Sequence, residues 1–197
     1  MPDVTRHGSE RAWTIPWVIK ETVGSFDINV LGKQSLEYYQ NLFISQSLHR
    51  FPSIMAKNFY MAIHRIIYEY GGDASRIWNG NPSSATVVYR FLQFDGCGVK
   101  IAPMAVNILA RQFKIPLSDY YSIDISPDVH ILRVLRRTGL VPKNAERDAS
   151  IYKARELNPV FPGIIDFSCW EIGSNYCKPN KPLCKQCPIE SECQKVY

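Results

Sequence analysis

Four cysteines close together near the C-terminal end restrict this chain more than any other feature of its sequence. They are Cys177, Cys184, Cys187 and Cys193, with the spacing C-x6-C-x2-C-x5-C. Thiolates grouped this tightly are typical of a metal centre rather than of a packed core. The segment Lys-Pro-Asn-Lys-Pro follows the first cysteine, so positive charge is expected beside the centre, at the surface.

Two other interpretations of the four cysteines remain open on spacing alone. Cys184 and Cys187 form the kind of close pair that also binds zinc. Two disulfides are the other alternative, but no apolar stretch follows the N-terminus, so an intracellular chain with reduced thiols is expected, in the cytoplasm or nucleoid if the source is prokaryotic. Cys97 and Cys169 lie in unrelated contexts and are expected to be free thiols.

The composition fits an ordinary globular protein of one or two domains. Of 197 residues, 46% are hydrophobic and 21% are charged. No apolar run approaches the length of a membrane span, so no membrane partner is expected. The net charge of +5 is a weak indication of a polyanionic partner.

The hydrophobic pattern predicts a predominantly helical, all-α chain. Apolar residues recur at spacings of three and four, and no convincing alternating run indicates a strand. Helices are predicted over 35–47, 51–70, from a cap at Ser83 or Ser84, over about 100–113, and from Ser126-Pro127 to near Gly139. In the last of these, serine is the expected cap and proline the expected first-turn residue.

A glycine-bearing turn, Phe94–Ala102, is predicted between two of these helices. Gly96 and Gly98 allow a tight reversal with the backbone close to a bound group. The following helix is expected to begin with unpaired N–H groups at the positive end of its dipole, which together suit a phosphate anion. An ordinary helix corner with glycine at a helix end would leave the same pattern.

Four segments, in order, resemble those of the endonuclease III family of DNA glycosylases. Ile44-Ser45-Gln46-Ser47 is similar to the family's Ser-Ala-Gln turn. Phe94–Ala102 resembles its helix–hairpin–helix consensus, Leu-Pro-Gly-Val-Gly-Arg-Lys-Thr-Ala. Asp128–Val134 resembles its Val-Asp-Thr-His-Val-x-Arg-Val segment, and the cysteine spacing resembles its iron–sulfur loop.

The resemblance implies a base-excision glycosylase with AP lyase activity. Lys100 matches the nucleophilic lysine of bifunctional members, which attacks the sugar of a damaged nucleotide, forms a Schiff base and nicks the strand by β-elimination. Asp128 matches the catalytic aspartate, which stabilises a cationic sugar. Without the resemblance, Lys100 is a solvated lysine and Asp128 a carboxylate that complements a helix dipole. Asp124 competes with Asp128 but lacks the histidine and arginine that follow it.

The same resemblance implies a cofactor, a partner and a domain arrangement. Cys177, Cys184, Cys187 and Cys193 would hold one [4Fe–4S] cluster with a structural role. The partner would be double-stranded DNA with a damaged, mismatched or abasic site, bound by a monomer. Gln46 would fill the gap left by a flipped nucleotide, and DNA phosphates would be contacted by Gly96, Gly98, Lys178, Lys181 and Lys185. A six-helix-barrel-type domain would span 30–126, and an iron–sulfur domain would combine 1–29 with 127–197.

Two departures from the family pattern leave the substrate open. Asp95 stands where proline is usual, and the stretch between Lys100 and Asp128 is longer than in endonuclease III. Tyr120 or Tyr121 in that stretch could stack on a flipped base, although loop packing is the favoured explanation for them. A monofunctional glycosylase and a non-catalytic, structure-specific DNA-binding protein therefore remain alternatives, with a redox carrier as a weaker one. Arg133 and Arg137 are expected to form surface ion pairs or to contact phosphates.

Overall fold

The computed structural model describes the backbone of residues 8–196 and the side chains from residue 13 onward. This range contains α-helices and short 3-10 turns but no strand, which confirms the predicted all-α class. The helices are α1 (Gly8–Val23), α2 (Ile28–Leu31), α3 (Leu36–Ser45), α4 (Pro52–Tyr70), α5 (Ser84–Leu92), α6 (Ile101–Arg111), α7 (Val129–Arg137), α8 (Arg147–Leu157) and α9 (Asp166–Asn175). Within the described residues, none of these helices has the length and apolar character that a membrane crossing requires.

Contacts divide the chain into two compact units. The first contains the residues up to Ile77 together with Phe94–Gly96, and the second contains Trp78–Gln93 and Cys97–Tyr197. The resemblance predicted a different division, with one domain over 30–126 and a second that combines 1–29 with 127–197. The contact-based units do not test that division, so it stays a prediction. Residues 1–7 of the second predicted domain lie outside the described residues.

The core of the first unit lies between α3 and α4. Ser35 begins α3 by accepting a hydrogen bond from the Tyr38 N–H at 3.1 Å. Tyr39 and Phe43 are fully buried, and both rings contact Phe59 of α4, with centroids 5.1 and 6.0 Å away. The Tyr39 hydroxyl donates to the Leu31 carbonyl at 2.7 Å, so the buried polar group is satisfied.

The core of the second unit holds α7 against α9. Ile131 and Leu135 of α7 are fully buried in it. Gly173 of α9 permits the close approach of the two helices, because a Cβ there would lie 2.7 Å from the His130 Cβ and 2.8 Å from the His130 carbonyl oxygen. The first turn of α7 is therefore fixed directly on α9.

The predicted start of α7 is wrong by two residues. Asp128, not Ser126, is the N-cap, and its Oδ1 accepts hydrogen bonds from the N–H groups of His130 at 2.8 Å and Ile131 at 2.9 Å. The Ser126 hydroxyl has no hydrogen-bond partner among the described residues, whereas Asp128 has extended backbone and caps two N–H groups, so the helix begins after Asp128. Asp128 therefore precedes the first turn instead of lying within it.

Candidate functional site

The turn between α5 and α6 requires glycine at one of its two glycine positions. Gly96 has a φ of +79°, and a Cβ at that position would collide with the side-chain amide of Asn58. Gly98 has no positive φ, and nothing lies within 4 Å of a Cβ built there. The fold thus requires glycine at position 96, whereas a side chain at position 98 would meet no neighbouring atom.

The start of α6 differs from the expectation of unpaired first-turn N–H groups. The N–H groups of Ile101 and Ala102 both donate to the Gly98 carbonyl, at 2.9 and 3.0 Å, and Pro103 has no N–H. Any anion bound here must therefore contact the turn itself, at Gly98, Val99 or Lys100, rather than the first turn of the helix.

Lys100 occupies the N-cap position of α6. Its backbone is already helical, with φ −83° and ψ −41°, and its side chain makes no capping hydrogen bond. The side chain is exposed. A lysine placed in this way has an accessible amine, which a nucleophile needs.

Asp128 and its competitor Asp124 have different surroundings. Asp124 forms a bidentate ion pair with Arg155, with both nitrogen–oxygen distances at 2.8 Å. This hydrogen bonding raises the pKa of Arg155 and occupies both oxygens of Asp124. Asp128 is half-buried, and the capping bonds use only its Oδ1. The structure therefore favours Asp128 over Asp124 as a carboxylate available for chemistry.

Asp166, the first residue of α9, was not predicted and lies in the same neighbourhood. It is only 7% exposed, and one of its oxygens accepts a hydrogen bond from the Ser126 N–H at 2.6 Å. Burial raises its pKa to about 6; the charge of Asp128 also raises it, and that of Lys100 lowers it. The charges of Lys100 and Asp128 thus both affect the pKa of one buried carboxyl, that of Asp166. The sequence carried a signal for it, a single acidic residue within the apolar run Phe-Pro-Gly-Ile-Ile-Asp-Phe.

Arg133 and Arg137 of α7 bind the segment 177–193, called here the cysteine loop. Neither of their predicted roles, surface ion pairing or phosphate contact, anticipated this. Arg133 donates to the carbonyls of Cys177 at 2.5 Å and Gly173 at 2.7 Å. Arg137 donates to the carbonyls of the two residues after Cys177 at 2.6 and 2.7 Å, and to the Cys177 sulfur at 3.4 Å. Burial lowers the pKa of Arg133, and the neighbouring Cys177 opposes that shift.

The four C-terminal cysteines line one cavity between α7, α9 and the loop. They are Cys177, Cys184, Cys187 and Cys193, and none forms a disulfide. Between residues 8 and 196, no group of three or more His, Cys, Asp or Glu side chains is arranged to hold a single metal ion. A zinc site needs its ligands about 2.0–2.3 Å from one ion, whereas a [4Fe–4S] cluster takes one thiolate at each of four irons. Four cysteines on one cavity supply the number of ligands that either group takes.

The other two cysteines are free thiols, as predicted. Burial raises the pKa of Cys97, and burial together with the charge of Asp166 raises the pKa of Cys169 to about 11. Such thiols remain protonated near neutral pH and are poor nucleophiles.

The residues predicted to contact DNA are all at the surface. Gln46 is exposed and forms the C-cap of α3 in the first unit, while Lys100 and Asp128 belong to the second. Lys181 and Lys185 are exposed on the cysteine loop. Lys178 is also exposed, but its amine donates to the carbonyl of Ser174 near the end of α9. Of the three lysines, Lys178 therefore has a structural contact of its own.

The long stretch between α6 and α7 is anchored to the start of α5. The hydroxyl of Ser84, which is fully buried, donates to Asp119 at 2.5 Å and accepts from the Ser122 N–H at 3.0 Å. Tyr120 stacks on Phe161, with ring centroids 4.9 Å apart, so loop packing explains this tyrosine. Tyr121 is 61% exposed.

Known proteins resemble this chain in sequence and in fold. Human adenine DNA glycosylase is 42% identical over 72 residues, which is 34% of this chain and 13% of that protein. Endonuclease III of Thermotoga maritima is 29% identical over 133 residues, which is 67% of this chain and 53% of that protein. The chain therefore spans about half or less of these relatives' lengths. No family model matches it.

Solved structures with similar folds cover nearly the whole chain. A trapped covalent intermediate of endonuclease III with DNA matches 98% of this chain and 86% of its own, with a TM-score of 0.63 and 17% identity. A thermostable thymine-DNA glycosylase matches the same shares with a TM-score of 0.64 and 16% identity. In sequence the chain is similar to adenine DNA glycosylase and endonuclease III, and in fold it is similar to solved endonuclease III-like glycosylases.

Proposed function

We propose that this protein is a DNA base-excision glycosylase that also nicks abasic sites. One observation carries the proposal: an exposed lysine occupies the start of α6, and a half-buried carboxylate caps the start of α7, and the charges of both affect the pKa of the buried carboxyl of Asp166, which is hydrogen-bonded to the Asp128 segment through Ser126. A nucleophilic amine and a carboxylate near one another are the groups that glycosidic bond cleavage through a Schiff base requires.

In the proposed reaction, Lys100 is the nucleophile and Asp128 stabilises the cationic sugar. The unprotonated Nζ of Lys100 attacks C1′, the N-glycosidic bond breaks, and the base leaves with the bonding electrons and takes up a proton. Opening of the sugar ring yields a Schiff base between C1′ and Nζ. Loss of a C2′ proton then expels the 3′ phosphate, which nicks the strand. The Oδ2 of Asp128 would serve this chemistry, because the two capping hydrogen bonds use only Oδ1.

The remaining surface residues would position the DNA. Gln46 at the end of α3 would enter the gap left by the flipped nucleotide, because extrusion leaves a hole in the stack. The turn containing Gly98, and the exposed lysines Lys181 and Lys185, would contact phosphates. Such contacts make binding depend strongly on salt.

We also propose that Cys177, Cys184, Cys187 and Cys193 hold one [4Fe–4S] cluster. When bound, the cluster would cross-link residues 177–193 to one another through its four thiolates. Anaerobic purification and metal analysis should give four irons and four sulfides per chain. Cys187→Ser should lose the iron, whereas the control Cys97→Ser should retain it. One zinc per chain and no iron would reject the cluster.

The function is tested by trapping a covalent adduct with borohydride. The substrates are duplexes with an abasic site, with adenine mispairs and with thymine mispairs. We expect an adduct with the wild type and none with Lys100→Ala. Lys143→Ala, which removes an exposed lysine of the same unit, should retain the adduct.

Two other results would change the proposal. Free base released without an adduct, and lost in Asp128→Asn, would indicate a monofunctional glycosylase in which Lys100 only contacts DNA. Tight DNA binding with neither adduct nor free base would indicate a non-catalytic DNA-binding protein.

A further inference from the structure

Asp166 is a buried carboxylate that the proposed chemistry does not yet use. It is one of five buried polar or charged residues between residues 13 and 196, and the only ionisable one in that group. A buried carboxylate lowers stability unless it is well satisfied. A single backbone hydrogen bond, from Ser126, reaches its Oδ1.

That one hydrogen bond connects Asp166 directly to the segment that carries Asp128. The Ser126 N–H donates to Asp166 at 2.6 Å, and the Ser126 carbonyl accepts from the Asp128 N–H at 2.7 Å. Asp128 is in turn fixed by its two capping bonds to α7. The backbone that carries the candidate catalytic carboxylate is thus held on one side by α7 and on the other by Asp166.

Charged groups on the surrounding helices act on Asp166 as well. Burial raises its pKa to about 6, the Ser126 N–H opposes this, Asp128 at the start of α7 raises it, and Arg111 and Lys100 of α6 lower it. On its own helix, the buried thiol of Cys169 is close enough for the Asp166 charge to raise its pKa. Asp166 therefore changes charge in a pH range where a DNA-processing enzyme can be assayed.

The surroundings of Asp166 contain two further unsatisfied polar atoms. The Ser126 hydroxyl and the Asn107 Oδ1 are buried and have no hydrogen-bond partner among the described residues. Asn107 donates through its Nδ2 to the Gly163 carbonyl at 2.8 Å, three residues before Asp166. Buried unsatisfied groups cost stability, and polar groups retained at such a cost tend to mark functional sites.

We propose that Asp166 is a positioning residue of the glycosylase site, which holds the Asp128 segment and adds a second negative charge near the developing cation of the sugar. The inference rests on the proposed function. Fixed charges in a water-poor site stabilise charge that develops in a transition state. The role predicts faster reaction when Asp166 is ionised than when it is protonated.

A purely structural role is the competing explanation. Asp166 is the first residue of α9, where any acidic side chain complements the helix dipole. A structural carboxylate would affect folding, but it would leave no step in the pH dependence of the reaction near pH 6.

The test is the single-turnover rate of adduct formation with an abasic duplex and cyanoborohydride between pH 5 and 8. The wild-type rate should show a step with a midpoint near pH 6, above any general rise due to the lysine nucleophile. Asp166→Asn should lose that step and react about tenfold more slowly at pH 7.5. Asp166→Glu should restore part of the step, and Glu171→Gln, an exposed carboxylate of the same helix, should behave like the wild type.

The outcomes separate the two proposals. If the wild type forms an adduct and Asp166→Asn retains the step near pH 6, the role of Asp166 is wrong and the proposed function stands. If the wild type forms no adduct at any pH, the lyase function itself is wrong and the role of Asp166 falls with it. Circular dichroism and thermal melts of each variant establish that a slow variant is folded.

Discussion

The helices α6 and α7 both begin near Asp166, but they begin in opposite ways. At α7, the Asp128 side chain caps two N–H groups, so the start of the helix is fixed. At α6, Lys100 occupies the N-cap position without a capping bond, and backbone bonds to Gly98 satisfy the first turn. One helix start fixes its functional side chain, whereas the other leaves its side chain free to move.

This difference matches what the two groups must do in the proposed reaction. A carboxylate that stabilises a transient cation works best when it is already in place, because no reorganisation is then needed. An amine that attacks a sugar, and then stays bonded to it through ring opening and elimination, must change position. A rigid cap suits the first role, and an exposed side chain on four methylenes suits the second.

The largest expected effect comes from Asp128, and two substitutions there separate its role as helix cap from the role of its negative charge. Asparagine caps a helix about as well as aspartate, so Asp128→Asn should leave stability within about 0.5 kcal/mol of the wild type. Loss of the charge should slow base release at least about 100-fold. Asp128→Ala should lose the same activity and, in addition, about 1 kcal/mol of stability. Single-turnover kinetics and urea unfolding measure both. Equal stability of the two variants would contradict the capping role.

The next effect concerns how the buried carboxyl of Asp166 changes the stability of the protein with pH. The pKa of Asp166 is raised from 3.8 to about 6, so protonation favours the folded state. Its stabilising contribution is present below about pH 4 and is lost as the pH rises through 6. Asp166→Asn should therefore be more stable than the wild type at pH 8, by up to about 3 kcal/mol, and similar to it at pH 4. Urea unfolding at the two pH values checks this; a variant less stable at pH 8 would contradict it.

A smaller effect concerns the turn that leads into α6. Gly96→Ala should cost about 1–3 kcal/mol, because alanine is strained at φ +79° and its Cβ collides with Asn58. Gly98→Ala should change stability little, since open space surrounds that position. If the turn contacts a phosphate, Gly98→Ala should still weaken binding to abasic DNA. Thermal melts and fluorescence anisotropy separate the two glycines, and equal destabilisation by both substitutions would refute the distinction.

The smallest effect concerns the cysteine loop. Lys181→Glu should weaken DNA binding several-fold regardless of sequence and reduce the slope of log affinity against log salt by about one or more. Lys178→Glu should also weaken binding, but it should lower stability as well, because the Lys178 amine donates to the end of α9. Anisotropy titrations between 50 and 200 mM salt measure this. Unchanged affinity of both variants at low salt would remove the loop from the DNA interface.

The sequence predicted the helices well because their signals are local. The three- and four-residue spacing of apolar residues predicted α3 and α4 within one or two residues of their observed bounds, and Ser35 and Ser83 cap as serine is expected to. The start of α7 was misplaced because two cap candidates stand two residues apart. The sequence does not show which of the two side chains reaches the first N–H groups of the helix; in the structure it is Asp128.

The parts of the site that the sequence did not reveal depend on contacts between distant residues. The roles of Arg133 and Arg137 follow from carbonyls about 40 residues further along the chain, and no local pattern encodes such pairs. The pairing of Asp124 with Arg155, which singles out Asp128, is of the same kind. The catalytic roles of Lys100 and Asp128 stay predictions, which the borohydride trapping and the Asp128→Asn variant test.

Because Arg133 and Arg137 bind the cysteine loop, α7 positions two parts of the molecule at once: the Asp128 carboxylate and the loop. The helix begins at the Asp128 cap and, one to two turns later, anchors the backbone at Cys177 and the two residues after it. The helix α7 is only nine residues long, and α9 packs against it. A shift of the loop would be transmitted through α7 to the Asp128 cap, because both are attached to this one short helix. The cysteine loop would then influence catalysis by mechanical strain, without taking part in the chemistry.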